Sequence, residues 1–300
     1  MAVFTITGAT GSVGKEIVKH LLVMGHEVRI LSTRKNLDWK GASTYFWNPS
    51  YGEIDDLALE GCDHLIHLAG ASVSKRWTAP YKAEINDSRV YTSKVLLDSI
   101  NRVQKGPKSC VSASAIGYYG SSQSSLFTEH TPPASDFLAS VTENWERYTK
   151  MFASPERRSI QLRIGIVLDK GAGVLGKLVP LAKAGIASPL GTGKQWTSWI
   201  HVEDLAKMFV YCAISDVVSG PYNAVASTPL SNRSFTKKIC KVLRRPMILP
   251  SVPAFILKLV LGEMATLALM SQKVSNAKIL EAGFVFTHED LESALHKTLK

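Results

Sequence analysis

The sequence predicts an α/β protein: a doubly wound parallel sheet carrying a small C-terminal lobe. Three observations predict it. Short, near-continuous apolar runs alternate with amphipathic helical stretches through the first two-thirds of the chain. A glycine-rich turn separates the first apolar run from the first helical stretch. After about Asp169 the alternation gives way to segments broken by glycine and proline. With 300 residues, 45% hydrophobic and 20% charged, the chain can bury a large core, and disorder or a collagen-like repeat is excluded.

Val3 to Thr7, Glu27 to Leu31, His64 to Leu68, Ser109 to Ala113 and Gln161 to Leu168 are the expected strands. Their apolar residues are nearly continuous instead of alternating, as in parallel strands covered on both faces. Between them, Lys15 to Met24 places Ile17, Val18, Leu21 and Leu22 on one helical stripe, and Arg89 to Ile100 does the same with Val90, Val95, Leu96 and Ile100. Repeated strand–helix units imply right-handed crossovers and ligands bound beyond the carboxyl ends of the strands. The expected division is a nucleotide-binding domain over residues 1–169, with 197–222 returning to it through a helix near His201 to Ser215. Residues 170–196 and 223–300 form the smaller, substrate-binding lobe. The longest apolar stretch, Val252 to Met270, is interrupted by Lys258 and Glu263, which makes it a packed or groove-lining helix instead of a membrane span.

The net charge of +10 is the unusual figure. Residues 1–150 hold 16 Lys+Arg against 15 Asp+Glu, leaving 19 against 10 for residues 151–300 out of totals of 35 and 25, so the excess belongs to the lobe. From Val217 to Leu261 there are seven cations, Arg233, Lys237, Lys238, Lys241, Arg244, Arg245 and Lys258, and no acid. With no helix-turn-helix, zinc or RNA-binding signature, the charge points to an anionic small molecule before nucleic acid. Cys62, Cys110, Cys212 and Cys240 are widely spaced, which argues against a metal site or a disulfide framework. The opening Met1-Ala-Val-Phe-Thr-Ile-Thr7 is already a strand and carries no leader pattern, so a cytoplasmic location is expected.

Gly8-Ala-Thr10-Gly11-Ser12-Val13-Gly14 follows the first strand and opens the first helix. Glycines here allow the tight turn, the close approach of a pyrophosphate and the packing of the helix, while the helix N-terminus supplies amides and positive dipole. This is the phosphate turn of a Rossmann-type sheet. At the end of the second strand an NAD enzyme places a carboxylate on the ribose. This chain has Ser32, Thr33, Arg34 and Lys35 instead, so NADP is expected, with Arg34 forking onto the 2′-phosphate.

TGATGSVG, then His67-Leu68-Ala69-Gly70, then Ser112-Ala-Ser114 before Gly117-Tyr118-Tyr119-Gly120, resemble the extended short-chain dehydrogenase/reductases. Arg76-Trp77-Thr78, Ser88-Arg89, Leu162-Arg163-Ile-Gly-Ile-Val-Leu168, Ser198-Trp199-Ile-His201-Val-Glu-Asp-Leu205 and Leu261-Gly262-Glu263 narrow the resemblance to an atypical branch, the epimerase family proteins similar to nucleotide-diphosphate-sugar epimerases. The resemblance implies a cofactor surface of Gly8, Thr10, Gly11, Ser12, Val13, Gly14, Ser32, Thr33, Arg34, Leu68, Ala69, Gly70 and Arg89, and a homodimer paired through two long helices.

The wider family uses Tyr-x-x-x-Lys, in which lysine lowers the tyrosine pKa for proton exchange. No tyrosine here has lysine at +4, and Thr142 and Glu146 stand in those places. Ser114 matches the family serine and is the candidate for holding the substrate hydroxyl. Tyr118 or Tyr119 is the next candidate for proton transfer, with packing as its other role. Glu146 is either a base, if burial raises its pKa, or a paired structural carboxylate. Two functions remain open: an NADP-dependent oxidoreductase or epimerase-like enzyme acting by hydride exchange on a hydroxyl/keto substrate, or an NADP-binding regulatory protein with weak or no catalysis.

Overall fold

The computed structural model describes residues 1–299. The first half runs β1 (Val3–Thr7), α1 (Ser12–Val23), β2 (Glu27–Ser32), β3 (Ser43–Asn48), β4 (Glu53–Ile54), β5 (His64–His67), α2 (Ala79–Arg102), β6 (Ser109–Ala115), β7 (Leu126–Phe127) and α3 (Phe137–Lys150). The second runs β8 (Arg158–Ile164), β9 (Ile166–Leu168), α4 (Gly173–Lys183), β10 (Trp196–Thr197), β11 (Trp199–His201), α5 (Val202–Ile214), β12 (Gly220–Ala224), β13 (Leu230–Ser231) and α6 (Asn232–Val242). It closes with α7 (Ala254–Leu261), α8 (Ala265–Leu269), β14 (Lys273–Val274), α9 (Ala277–Glu281) and α10 (Leu291–Leu299).

Eight strands form the main sheet in the order β12-β8-β6-β5-β1-β2-β3-β4, parallel throughout except for the β3–β4 hairpin at one edge. The order reverses at β1, between β2 and β5, and the crevice there is where a doubly wound sheet binds its ligand. Helices α1 and α5 pack together on one face, where Ile17, Leu21, Leu205 and Phe209 meet Phe4, Ile6 and Ile30. Helices α2 and α3 cover the other, where Leu96 and Ile100 close over Leu31, Leu65 and Phe152. A separate core in the lobe joins Leu175 and Leu178 of α4, Phe235 and Ile239 of α6 and Leu295 of α10 around Trp199.

Five elements differ from the sequence expectation, each for a local reason. The stretch Val252 to Met270, expected as one packed or groove-lining helix, is two helices, α7 and α8, broken at Gly262, which has φ of +61°, and α7 buries none of its residues. The run expected from Gln161 to Leu168 is two strands. At Gly165 a Cβ would stand 2.7 Å from the Ser198 carbonyl oxygen, and this close crossing sends Ile166–Leu168 away to pair with β11. Helix α2 starts ten residues before Arg89, at Ala79, with the Thr78 hydroxyl accepting from the Tyr81 amide at 3.3 Å; its first ten residues bury only Ile85 and so show no apolar stripe. Strand β3 went unpredicted because Ser43-Thr-Tyr-Phe-Trp-Asn48 is a mostly half-buried strand near the sheet edge. Strand β12 runs to Ala224 within the main sheet, two residues past the expected return at 222. No described helix is long and apolar enough to cross a membrane.

Candidate functional site

The site begins where β1 ends. Gly8 turns with φ of +73°, and a Cβ there would press within 3.0 Å of the Leu68 backbone. A side chain at Gly14 would stand 2.4 Å from the Gly8 carbonyl oxygen, so α1 can lie on this turn only without one. Gly11 caps α1 with no side-chain hydrogen bond, which leaves the first-turn amides and the positive end of the helix to an anion. Beside this turn is a pocket of about 370 Å³ lined by Gly8, Thr10, Ser32, Thr33, Arg34, Ala69 and Gly70, and by no carboxylate. The Ser32 hydroxyl accepts from the Arg34 amide at 3.0 Å and fixes the turn from which Arg34 projects into solvent.

Of the residues expected on the cofactor surface, Gly11, Ser12, Val13 and Gly14 form the turn and helix start beside this pocket, and Leu68 leads from β5 into it. The far wall, Trp47, Asn48, Pro49, Ser50 and Tyr91, was missed. Its signal was the aromatic run ending at Pro49: once β3 is read as a strand, its carboxyl end falls on the ligand side of the sheet.

A buried network fixes the strand-end loop. Thr7 Oγ1 accepts from the amides of Leu68 and Ala69, at 3.1 and 3.2 Å, so its proton goes to His67 Nδ1 at 2.8 Å. His67 Nε2–H then faces the hydroxyls of Ser93 and Thr92, at 3.3 and 3.4 Å, whose own protons go to helix carbonyls. Burial pushes His67 down to about 3 and His64 down to about 4, so both are neutral hydrogen-bonding groups. Arg89 lies behind Gly70 and donates to the carbonyls of Ala71, at 3.1 Å, and Ile85, at 2.8 Å. Its guanidinium sits 4.9 Å over the Trp145 ring, and burial lowers it to about 10, still cationic at neutral pH. Its contacts brace the pocket from behind.

The catalytic candidates meet at the end of β6. Ser114 Oγ donates to Glu146 Oε1 at 2.7 Å, and Glu146 is held bidentate by Arg163 at 2.7 and 2.8 Å. Burial works to raise the Glu146 pKa, but the Arg163 hydrogen bonds and charge, with Ser114, outweigh it and leave it lowered. This corrects the base role for Glu146: the raised pKa that role requires is absent, and both carboxylate oxygens are engaged. Thr142, in the family tyrosine's place, donates back to the Leu138 carbonyl at 2.7 Å. Arg163 is the functional residue the sequence reading missed. Its guanidinium lies 3.6 Å over the Tyr118 ring and donates to the Tyr119 hydroxyl at 3.0 Å. Tyr119 in turn donates to Asn223 at 2.6 Å, is pushed up to about 12 by burial, and serves packing. Burial, opposed by Arg163, raises Tyr118 as well, so it stays a protonated phenol at neutral pH. An arginine in the otherwise apolar run from Leu162 to Leu168 was the available signal.

A second cleft, of about 390 Å³, opens between the lobe and the starts of α2 and α3, with Trp77, Phe137, Leu138, Lys258 and Glu263 on its walls. Leu138 lies against Gly117, which ties this cleft to the turn carrying Ser114 and Tyr118. Glu263 pairs with Lys82 at 2.7 Å, and Asp136 caps α3. Trp199 is fully buried and donates to the Thr228 carbonyl at 3.1 Å; Gln195 donates to the carbonyls of Leu190 and Ala268. Arg244 and Arg245 are exposed and line neither cavity. His201, Glu203 and His288 lie close enough for a metal, but His201 accepts the Glu203 amide on Nδ1 and bonds Thr298 through Nε2, so both its nitrogens are occupied in a clasp between α5 and α10.

Residues 4–224 match the model of the NAD dependent epimerase/dehydratase family, and residues 252–298 match a domain of unknown function, DUF1731. The chain is 36% identical to the epimerase family protein YfhF of Bacillus subtilis, covering 98% of this chain and 97% of that one. It is 34% identical to the chloroplastic epimerase family protein SDR39U1 homolog of Arabidopsis thaliana, over 99% and 86%. Among solved structures, the human epimerase family protein SDR39U1 with NADPH superposes with a TM-score of 0.89 at 26% identity, over 99% and 98% of the two chains. The nucleoside-diphosphate sugar epimerase of Corynebacterium glutamicum gives 0.81 at 29%, over 99% of this chain and 58% of that one.

Glu146→Gln is expected to destabilise the protein by about 3–5 kcal/mol in urea titrations, because it leaves the Arg163 charge buried without its counter-charge. The double change Glu146→Leu with Arg163→Met recovers most of that loss; a Glu146→Gln protein as stable as the parent would contradict the pair's structural role. His67 and His64 give a pH dependence. Below about pH 6.5 the unfolded chain takes up protons that the folded chain refuses until about pH 3 to 4. Stability is therefore full above pH 6.5 and falls on acidification, by up to roughly 4 kcal/mol from His67. His67→Gln flattens part of this fall in urea midpoints measured from pH 7 to 4.

Proposed function

We propose that the chain, which belongs to the NAD-dependent epimerase/dehydratase family, is an NADP(H)-dependent enzyme exchanging hydride with a hydroxyl/keto substrate. The observation that carries the cofactor part is the acid-free pocket around Ser32, Thr33 and Arg34 beside the Gly8–Gly14 turn. The uncapped start of α1 suits a pyrophosphate, and Arg34 with two hydroxyls suits a 2′-phosphate that a carboxylate would repel. The human relative with NADPH supports the same choice. When bound, the nicotinamide supplies or accepts hydride.

This chain's own residues handle the proton. With the cofactor bound, Tyr118, protonated at neutral pH, would donate its proton to the oxygen of a carbonyl substrate. The Arg163 cation over the ring would favour the phenolate left behind and so oppose the rise that burial causes. Ser114 commits its proton to Glu146 and presents its lone pairs to a substrate hydroxyl. The second cleft takes the substrate, its apolar walls against the carbon skeleton and Lys258 against an anionic substituent. The sugar-nucleotide form of that substrate rests on the relatives. A second reading, an NADP(H)-binding regulator, is favoured by the burial of Ser114, Glu146 and Arg163, each no more than 2% exposed.

NADPH is expected to raise the melting temperature by several degrees more than NADH at equal concentration, and Arg34→Glu to abolish the difference; equal shifts from the two cofactors would overturn the assignment. With a panel of small ketones and aldehydes, Tyr118→Phe should lower NADPH oxidation at least about 100-fold while NADPH affinity stays constant. Tight NADPH binding with no oxidation across the panel favours the regulator.

A further inference from the structure

The lobe carries an apolar surface that the site does not use. Helix α7 is apolar around most of its circumference, the pattern of a buried helix, yet none of its residues is buried. At 100° per residue, Ala254, Leu257 and Leu261 share the side turned to the protein, and Lys258 flanks it at the cleft. Phe255, Ile256, Leu259 and Val260 share the other side, and there Phe255 is 70%, Leu259 81% and Val260 66% exposed. The segment leading into the helix adds Ile248, 75% exposed, and Leu249. Isolated exposed apolar residues are ordinary, but six within thirteen residues form a patch that requires an occupant.

Charge identifies the occupant. Between Val217 and Gly262 there is no acidic residue. Lys238 and Lys241 are neutralised by Asp290 and Glu292 of the α10 region, whereas Arg233, Arg244 and Arg245 are exposed and have no ion pair among the described residues. Arg233 donates to the Ser251 hydroxyl at 3.1 Å, which places a cation at the foot of α7, and Arg244 and Arg245 immediately precede the Ile248–Leu249 segment. A second copy paired about a two-fold axis would set these cations against themselves. The outer side of one exposed helix is also convex, unlike the groove that an acidic peptide helix requires. An apolar helix face with one unpaired arginine at its foot and two more just before the exposed Ile248–Leu249 segment suits the boundary between anionic headgroups and acyl chains. We propose that α7 and the segment from Arg244 to Leu249 dock this protein peripherally on an anionic lipid surface, without spanning it.

The test is flotation of the full chain with vesicles of phosphatidylcholine alone and with 30% phosphatidylglycerol. The intact protein is expected to float with the anionic vesicles and at least about tenfold less with the neutral ones. Leu259→Glu with Val260→Glu, on the exposed side, should lower anionic-vesicle binding at least about tenfold while melting temperature and NADPH affinity stay unchanged. Arg244→Asn with Arg245→Gln should lower it roughly thirtyfold, at about fivefold per cation; asparagine is chosen because Arg244 has φ of +55°. Failure of the intact protein to float with anionic vesicles overturns the proposal, as does binding untouched by the Leu259/Val260 pair. A concentration-dependent dimer that those two changes dissolve would assign the face to a second copy instead.

Discussion

The buried pair of Arg163 and Glu146 organises the site. It ties β8 to α3, draws Ser114 in from β6, and through Tyr119 and Asn223 reaches β12. A guanidinium and a carboxylate inside a protein are tolerable only when nearly every donor and acceptor is met, and here they are met from four separate elements. The ends of these strands are therefore fixed relative to one another by one network. The turn bearing Tyr118, which covers the guanidinium, inherits its position from that network. A hydrophobic replacement would be easier to fold, but it would leave no cation beneath the phenol.

The nucleotide half rests on a different constraint, the absence of side chains. Gly14 lets α1 close on the turn and Gly8 lets the turn pass Leu68, while Thr7 and His67 hold the neighbouring strand end by hydrogen bonds and burial keeps the imidazole neutral. The two halves meet at Arg89 and Trp145. The former braces Gly70 on the nucleotide side, and the latter sits in the helix turn that carries Glu146.

The sheet and the phosphate turn could be read from the chain because both depend on local features: apolar runs of strand length, helical stripes, and glycines at a spacing that only backbone contacts explain. NADP preference was equally local, since it turns on four consecutive residues, Ser32 to Lys35, at the end of β2. What escaped was made by pairing across distance. The sequence places Glu146 four residues after Thr142, which suggests a displaced Tyr-x-x-x-Lys; only the fold brings Arg163, seventeen residues further on, against it. The far wall of the pocket escaped for a similar reason, since Trp47 to Ser50 matter only once β3 is known to lie beside β2.

The charge excess shows how far composition can be taken. A surplus of nine cations in the second half is compatible with an anionic substrate, a nucleic acid or a lipid surface, and the total cannot separate them. Placement can. Lys238 and Lys241 are balanced by acids from the α10 region, and among the described lobe cations only Lys258 lines the cleft, beside Asp136 and Glu263. Most of the surplus therefore lies away from that cleft. Of the arginines that remain, Arg233 bonds Ser251 just before α7, and Arg244 and Arg245 stand shortly before exposed Ile248 and Leu249 in the chain. The basic balance of the chain is thus a property of its lobe.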